Sequence, residues 1–250
     1  MHWLQAIDVG LLRFVNETLS NPALDVWMPL VSGQGIKGLF LAIAVAAGLL
    51  LAWKGGRRGQ LCVLMLVLIV ASCDGVLCNL VKHAVARPRP FAVLSDVKRP
   101  GSRPPRGNSM PVTAPPSVAP KPNSASSNNS MPSSHAANWF AATMVLFVYY
   151  RRSWKWTVPA ATLVSFSRIY NGVHYPSDVL AGALLGAGYA VAMLWAMNAL
   201  WQWAGRRSFP RLREVLPSLV DPDLRISAVK PGSSVPDSSA TLSASRQGIR

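Results

Sequence analysis

Five apolar runs constrain the fold of this chain more strongly than any other feature of its sequence. Charged residues make up only 14% of the 250 residues, well below the roughly 25% that is usual for soluble domains. Runs of this kind suit helices that cross a bilayer, where each backbone polar group must be satisfied within the segment. The sequence therefore predicts an all-α integral membrane bundle of about five transmembrane helices. The runs cover roughly residues 35–53, 61–81, 135–150, 154–167 and 179–203.

The last three runs differ in length and in small-residue content. The third and fourth are near the lower limit of about 17 residues for a crossing helix. They reach that length only when Ser133 and residues 168–170 are counted with them. The last run carries Gly182 and Gly186, which place two small residues on one helix face. This spacing either lets a neighbouring helix approach closely or reflects glycine as filler, and both interpretations stay open.

Residues 1–34 are predicted to form an amphipathic helix at the membrane interface, followed by a turn. Apolar side chains recur at helical spacing between residues 4 and 30, and charged residues such as Asp8 make this segment too polar to span. Asn21-Pro22 breaks the helix, and residues 32–35 mark the turn before the first apolar run. The segment lacks the pattern of a removable signal peptide, so the first run is expected to direct insertion itself.

Basic residues in the short loops predict the orientation of the bundle. They fall on one side, which the positive-inside rule makes cytoplasmic. Residues 91–130, rich in proline, serine and asparagine, predict a flexible extracytoplasmic loop, although its own basic residues argue against this orientation. Residues 205–250 predict a basic, flexible cytoplasmic tail. The basic residues of the cytoplasmic side are Lys54, Arg57, Arg58, Arg151, Arg152, Lys155, Arg206, Arg207, Arg211 and Arg213.

The net charge of +15 does not indicate a nucleic-acid partner. The basic residues lie in the flanks of apolar runs, in one loop and in the tail, with no recognition helix or aromatic-rich sheet between them. The three cysteines fall in one apolar run, and their spacing fits neither a disulfide framework nor a zinc site. Cys73 and Cys78, five residues apart, are expected to point in different directions on an α-helix and to be buried as small apolar residues.

Three short clusters of basic and histidine residues lie at the ends of the apolar runs. All three fall on the side that is predicted to face away from the cytoplasm. Three cations, two histidines and one carboxylate are the groups that phosphoryl transfer through a histidine requires. The clusters are Lys82 with Arg89-Pro90, then Pro132-Ser133-Ser134-His135, and last Ser167-Arg168 with His174 and Asp178.

The cations of these clusters suit the binding of a phosphate. Lys82 supplies a point charge, whereas Arg89 and Arg168 supply planar guanidinium groups that can each hold two oxygens. Pro88 and Pro90 hold Arg89 in extended chain beyond the second run. The alternative is that Lys82 and Arg89 are boundary cations whose heads extend to the membrane surface.

The second cluster opens the third run and combines an anion site with a histidine. The unpaired N–H groups of a helix start favour an anion, and the hydroxyls of Ser133 and Ser134 can donate to it as well. A plain helix-capping role for either serine is compatible with this function. His135 in its imidazolium form could protonate the leaving oxygen of a phosphate ester.

His174 and Asp178, four residues apart, form the third element of the predicted site. A carboxylate that reaches one imidazole nitrogen would fix the tautomer and leave the other nitrogen free to attack phosphorus. The alternative is that Asp178 complements the start of the last helix and His174 is an interface residue. A further carboxylate, Asp74, lies inside the second run and is expected to pair with Lys82 or to bond within the bundle.

These clusters resemble the three signature motifs of the type 2 phosphatidic acid phosphatase superfamily, which also contains the vanadium-dependent haloperoxidases. The resemblance spans residues 82–178 in family order and spacing, and implies a metal-free phosphatase without a cofactor that forms a phosphohistidine. It makes His174 the nucleophile, Asp178 its orienting partner and His135 the general acid. The family usually has glycine where this chain has Ser134, whose backbone N–H can still bind. The implied phosphate ligands are Lys82, Arg89, Ser133, Ser134 and Arg168.

The expected function is therefore that of a membrane phosphatase, with residues 35–204 as its transmembrane domain. A pocket at headgroup level benefits from the membrane only if a substrate is a lipid, so the expected partners are the bilayer and a phosphorylated lipid. Bacterial relatives with a short amphipathic N-terminus before five spans look similar to undecaprenyl diphosphate phosphatases, and others act on phosphatidate, phosphatidylglycerophosphate or lipid A. The expected location is a bacterial inner membrane with the site facing the periplasm or the outside. A lipid phosphotransferase, and a non-catalytic binder or transporter of anionic lipids, stay open as alternatives.

Overall fold

The computed structural model describes residues 2–100 and 129–221. Within these ranges the chain is helical and forms no strand, apart from one isolated bridge between Pro88 and Asn129. The predicted all-helical class is therefore confirmed. The helices are α1 (His2–Arg13), α2 (Pro22–Val31), α3 (Lys37–Lys54), α4 (Gly56–Val85), α5 (Pro90–Val93), α6 (Ser134–Tyr149), α7 (Trp154–Tyr170), α8 (Pro176–Arg207) and α9 (Pro210–Val215).

Three of these helices, α3, α4 and α8, are long and apolar enough to cross a membrane. The shorter α6 and α7 have 16 and 17 residues, which at about 1.5 Å per residue makes each roughly 25 Å long. α3 has no buried residue, and large apolar side chains are exposed along its length, from Leu39 to Trp53. An apolar surface of this extent indicates contact with lipid, as expected of an integral membrane protein.

The N-terminal segment is divided at the predicted break. α1 continues into a short π-helical segment, Phe14–Thr18, and α2 starts after it. The side chain of Asn21 caps α2 by accepting a hydrogen bond from Leu24 N (2.9 Å), and Pro22 occupies the first helical position, where its missing N–H is not needed. The break at Asn21-Pro22 is thus confirmed, while the interfacial position of α1 stays a prediction.

The helices α3, α4, α6, α7 and α8 run back and forth, so the bundle has two ends. At one end the α3–α4 turn meets the α6–α7 turn, where the Arg58 guanidinium lies 5.4 Å from the centroid of the Tyr150 ring. Arg57 Nη1 donates to the Val215 carbonyl at the same end (2.8 Å). The basic loops predicted to share one side therefore lie together. The opposite end carries the starts of α3, α6 and α8 and the ends of α4 and α7.

A π-helical segment, Cys73–Cys78, interrupts the α-helical pattern of α4 and changes the placement of two cysteines. In a π-helix the hydrogen bond joins residues five apart, so such residues approach one face. Cys73 and Cys78 accordingly both lie in the apolar core against α6 and α8, and the prediction that they point in different directions is wrong. Their predicted burial, and that of Cys62, is confirmed, and all three are free thiols.

α6 and α8 make the most extensive helix–helix contact of the bundle. The two glycines of the last run lie in this contact: a Cβ on Gly182 would stand 2.5 Å from the Ser133 carbonyl oxygen, and one on Gly186 would overlap the Ala137 carbonyl. The close-approach interpretation of these glycines is therefore confirmed. Because Ser133 belongs to the second cluster, the same contact sets the distance between that cluster and α8.

Replacing Gly186 with alanine is expected to destabilise the bundle because the added methyl group must push α6 away from α8. Overpacking of this kind typically costs about 1–3 kcal/mol, and we expect the thermal unfolding midpoint of the detergent-purified protein to fall. Gly188→Ala on the same helix is the matched control, since its Cβ would meet nothing within 4 Å. Equal midpoints for the two variants would contradict this packing.

The chain beyond α8 returns to the bundle. Trp201 Nε1 donates to the Leu216 carbonyl (2.8 Å), and the Tyr149 hydroxyl donates to the Leu219 carbonyl (2.7 Å). The first part of the predicted flexible tail, residues 208–221, thus contains α9 and contacts α6 and α8. The rest of that tail, residues 222–250, and most of the predicted 91–130 loop, residues 101–128, lie outside the described residues.

Candidate active site

Lys82 and Arg89 are placed by the way α4 ends. Ala86 adopts a left-handed conformation (φ 48°) that stops the helix, and Arg89 follows in extended chain (φ −73°, ψ 150°) before Pro90. The extended exit predicted for Arg89 is therefore confirmed. Lys82 Nζ donates to Ser134 Oγ (2.6 Å), which joins the first cluster to the second. The hydroxyl that stands where the family usually has glycine is thus a partner of the lysine.

Ser133 immediately precedes α6 and is completely buried. Its backbone N–H donates to the Asp178 carbonyl (3.0 Å), so this N–H is already used within the protein. Its Oγ is buried and has no hydrogen-bond partner among the described residues. A buried hydroxyl without a hydrogen-bond partner destabilises the fold. Ser133 Oγ is therefore available to bind a ligand.

Two arginines at the site have buried N–H groups without a partner. Arg168 lies in the last turn of α7 and is 8% exposed. Its Nη1 donates to Ser32 Oγ. The Nε atoms of Arg168 and Arg89 have no hydrogen-bond partner among the described residues. Burial and the charge of Arg99 lower the pKa of Arg89, an effect that Asp178 only partly offsets. A bound anion would relieve this unfavourable balance, since it would both pair the charges and accept the free N–H groups.

His174 lies in the turn between α7 and α8 and is 2% exposed. Its Nδ1 is 2.8 Å from the backbone oxygen of Ser130. A carbonyl oxygen can only accept, so Nδ1 carries the proton and Nε2 keeps its lone pair. The side chain is therefore held in the tautomer that a nucleophilic imidazole needs.

Asp178 contacts His174 less directly than the sequence predicts. Its Oδ2 is 3.9 Å from His174 Nδ1, too far for a hydrogen bond. The carboxylate instead accepts from Ser130 Oγ, Tyr175 N (2.9 Å) and Arg87 Nη1 (2.9 Å). Asp178 thus holds Ser130, whose carbonyl in turn holds the imidazole, and the orienting contact of His174 is made by a backbone oxygen.

The charges that act on His174 come from all three clusters. Burial lowers the pKa of His174 well below its usual value, and Arg168 and Arg89 lower it further. The Ser130 carbonyl opposes this effect, and His135 adds a smaller lowering. The imidazole is therefore neutral at neutral pH. The hydrogen bonds from Lys82 to Ser134 and from Ser133 N to the Asp178 carbonyl join the three clusters, which therefore meet at one end of the bundle.

We expect nitrogen NMR to find His174 neutral and protonated on Nδ1. With its pKa lowered, the ring should stay unprotonated as the pH falls through 6.5, the usual value for histidine. The chain has four histidines, so ¹⁵N-histidine spectra in detergent can be assigned through His174→Ala. Titration of His174 near pH 6.5, or a proton on Nε2, would contradict this geometry.

His135 lies in the first turn of α6, and its side chain is exposed. Its charged neighbours are Arg168, Asp74, Lys37 and Arg89. The ring lines a cavity of about 570 Å³ between α3, α6 and α7. The ring is therefore accessible from this cavity, and its role as a general acid stays a prediction.

Three side chains of this end were not singled out as site residues from the sequence. Arg87 bridges two carboxylates, with Nη1 on Asp178 (2.9 Å) and Nη2 on Asp8 (2.6 Å). Asp8 is 6% exposed and also accepts from Ser177 N (2.9 Å), which attaches α1 to the start of α8. The third residue is Ser130. An acidic residue on an otherwise apolar helix was the available signal for Asp8, whereas nothing local marked Ser130.

Asp74 does not form the ion pair with Lys82 that was one of its expected interactions. Its side chain is exposed, and it forms no ion pair with any other residue in the described ranges. Lys82, its predicted partner, donates to Ser134 instead. Of the two interactions considered for Asp74, the pairing with Lys82 is therefore not formed.

Comparisons with known proteins identify a family and a fold to which this chain is similar. The sequence matches the family model of the PAP2 superfamily over residues 59–202. It is similar to the bacitracin transport permease protein BcrC of Bacillus licheniformis, 44% identical over 74 residues, or 29% of this chain and 36% of that protein. It is also similar to an undecaprenyl-diphosphatase of Sulfolobus acidocaldarius, 43% identical over 60 residues, or 23% of this chain and 29% of that protein.

The chain thus spans well under half the length of these relatives in each match. Similarity of the fold extends further than similarity of sequence. The crystal structure of LpxE from Aquifex aeolicus aligns with 75% of this chain and 94% of that chain, with a TM-score of 0.51 and 23% identity.

Proposed function

Because this chain belongs to the PAP2 superfamily, we propose that it is an integral membrane phosphatase that acts on a phosphorylated lipid. One observation carries the proposal. His174 is buried, neutral and protonated on Nδ1, and lies beside Arg89 and Arg168, whose buried Nε–H groups have no partner among the described residues. A free imidazole nitrogen in the field of two arginines that keep unused Nε–H groups is suited to attack on a phosphate.

In the first step the substrate phosphate binds between Lys82, Arg89, Arg168 and the serines 133 and 134. The lone pair of His174 Nε2 forms a bond to phosphorus while the bond from phosphorus to the lipid-side oxygen breaks. His135, as imidazolium, gives its proton to that oxygen. The arginines stabilise the charge that spreads over the remaining phosphate oxygens, which is the main contribution of a protein to phosphoryl transfer.

In the second step the phosphohistidine is hydrolysed. His135, now neutral, takes a proton from a water molecule whose oxygen attacks phosphorus, and the bond from phosphorus to His174 breaks. Inorganic phosphate leaves and both histidines return to their starting state. If a lipid hydroxyl takes the place of water, the same intermediate transfers phosphate to another lipid.

We further propose that all five bundle helices, α3, α4, α6, α7 and α8, cross the membrane. The alternation of their ends and the shared position of the basic loops support this arrangement. The basic end is then cytoplasmic and the candidate site faces the periplasm or the outside. Residues 1–34 lie at the interface, 35–204 form the phosphatase domain, and 205–250 form the cytoplasmic tail.

The substrate is a lipid diphosphate of the undecaprenyl type or a monophosphate such as phosphatidate or phosphatidylglycerophosphate. The name of the Sulfolobus acidocaldarius relative, an undecaprenyl-diphosphatase, supports the first of these. The name of the BcrC relative, a transport permease protein, favours the second candidate function, binding or transport of an anionic lipid without turnover.

Phosphate release from lipids by the detergent-purified protein tests the function. An isoprenyl diphosphate and a diacylglycerol phosphate are offered with and without EDTA, and released phosphate and any new phospholipid are both measured. Release that persists in EDTA supports a metal-independent phosphatase, and a new phospholipid supports a phosphotransferase. Binding of either lipid without turnover would contradict the enzymatic proposal.

A further inference from the structure

The cavity of about 570 Å³ beside His135 has a polar end and an apolar end. Along α3 it is lined by Lys37, Leu41 and Ala44, and along α6 by His135, Asn138 and Trp139. Each set follows the spacing of one helix face, so the cavity runs between two facing stripes. Both stripes begin with charged or polar residues at the site end and become apolar towards the middle of the bundle.

The cavity is open because α3 stands apart from α6. Among the described helices α3 packs extensively only against α4, and none of its residues is buried. An amphiphile can therefore enter from the lipid side, with its charged group at Lys37 and its hydrocarbon chain along Leu41 and Ala44. At about 1.5 Å per residue, Ala44 lies roughly 10 Å deeper along α3 than Lys37.

His135 belongs both to this cavity and to the phosphate site. It is the side chain expected to protonate the leaving oxygen, so the group that leaves lies on the cavity side of the transferred phosphorus. Lys37, a cation at the start of α3, lines the cavity together with His135. A leaving group that enters the cavity therefore meets a positive charge.

On the basis of the proposed function, we infer that Lys37 binds the phosphate that stays on the lipid, so that this protein acts preferentially on lipid diphosphates. When a diphosphate is cleaved, His174 takes the terminal phosphoryl group and the bridging oxygen stays with the lipid monophosphate. That leaving group keeps the negative charge of a phosphate even after His135 has protonated the bridging oxygen, and the Lys37 ammonium stabilises this charge. When a monophosphate is cleaved, the leaving group is an alcohol, and Lys37 has no such charge to stabilise.

The inference is tested by replacing Lys37 with glutamine and comparing two substrates of equal tail length. With an isoprenyl diphosphate we expect kcat/KM to fall by about 10- to 100-fold, the effect of losing a hydrogen bond to a charged group. With the isoprenyl monophosphate of the same chain length we expect little change, and Lys37→Arg should retain most of the diphosphate activity. Because the Lys37 side chain is exposed, the substitution should leave folding intact.

Lys54→Gln is the matched control, since Lys54 lies at the opposite end of the same helix. An equal loss with both substrates, or no loss with either, would overturn the role of Lys37 while leaving the phosphatase proposal in place. If the wild-type protein releases phosphate from neither lipid, or His174→Ala releases it as fast, the proposed function itself fails and this inference fails with it.

Discussion

Substituting alanine for His174 is expected to abolish phosphate release, with a loss on the order of 10⁴-fold or more, as is typical when a nucleophile is removed. The imidazole is the only described group at the site with a free nitrogen held by a neighbouring carbonyl. Without it no phosphohistidine can form, and the cations alone can only bind the substrate. Phosphate release from a lipid diphosphate measures the effect.

The intermediate gives this experiment a second readout. After a short reaction with lipid carrying labelled phosphate, the wild-type protein should retain label that is lost in acid and kept in base, as expected of a phosphohistidine. His83→Ala is the matched control, because His83 is an exposed histidine one residue from Lys82. Undiminished release by His174→Ala, with a folded protein, would disprove the nucleophile assignment.

Replacing Asp178 with asparagine is expected to lower kcat by about 10²- to 10⁴-fold, in line with the effect of removing the carboxylate behind a catalytic histidine. The side chain is completely buried and accepts from Ser130, Arg87 and Tyr175. An amide cannot accept from all three as strongly, so Ser130 is released and its carbonyl no longer fixes the ring of His174. Because the change affects the orientation of the imidazole, KM should change less than kcat.

Ser130→Ala separates this positioning role from a merely structural one. It removes only the hydroxyl that Asp178 holds and leaves the carbonyl in place, so we expect a loss of about 10-fold, the effect of one buried hydrogen bond. In the double variant the loss should equal that of Asp178→Asn alone, since both changes break one connection. Additive losses would show that Asp178 acts on His174 independently of Ser130. Thermal midpoints of all three variants identify any that fail to fold.

The apolar runs and the three clusters could be read from the sequence because their signals are local. A bilayer-crossing helix is marked by its own composition, so the positions of α3, α4 and α8 agree with the predicted runs. The proposed phosphate ligands lie within short motifs. The backbone at these motifs, such as the extended chain at Arg89 before Pro90, follows from residue type. The turn at Asn21-Pro22 was predictable for the same reason.

The partners of these residues were decided by the tertiary structure. The carbonyl that holds His174 comes from a residue 44 positions away, and Arg87 reaches Asp8 across 79 positions, so no local pattern records either contact. The direct Asp178–His174 bond expected from their spacing is replaced by a connection through Ser130. The sequence by itself thus determined the family, the helical runs and the helix ends at which the candidate site residues lie. Packing of α1, α6 and α8 decided which atoms touch, because hydrogen-bond geometry depends on distances that only the assembled bundle sets.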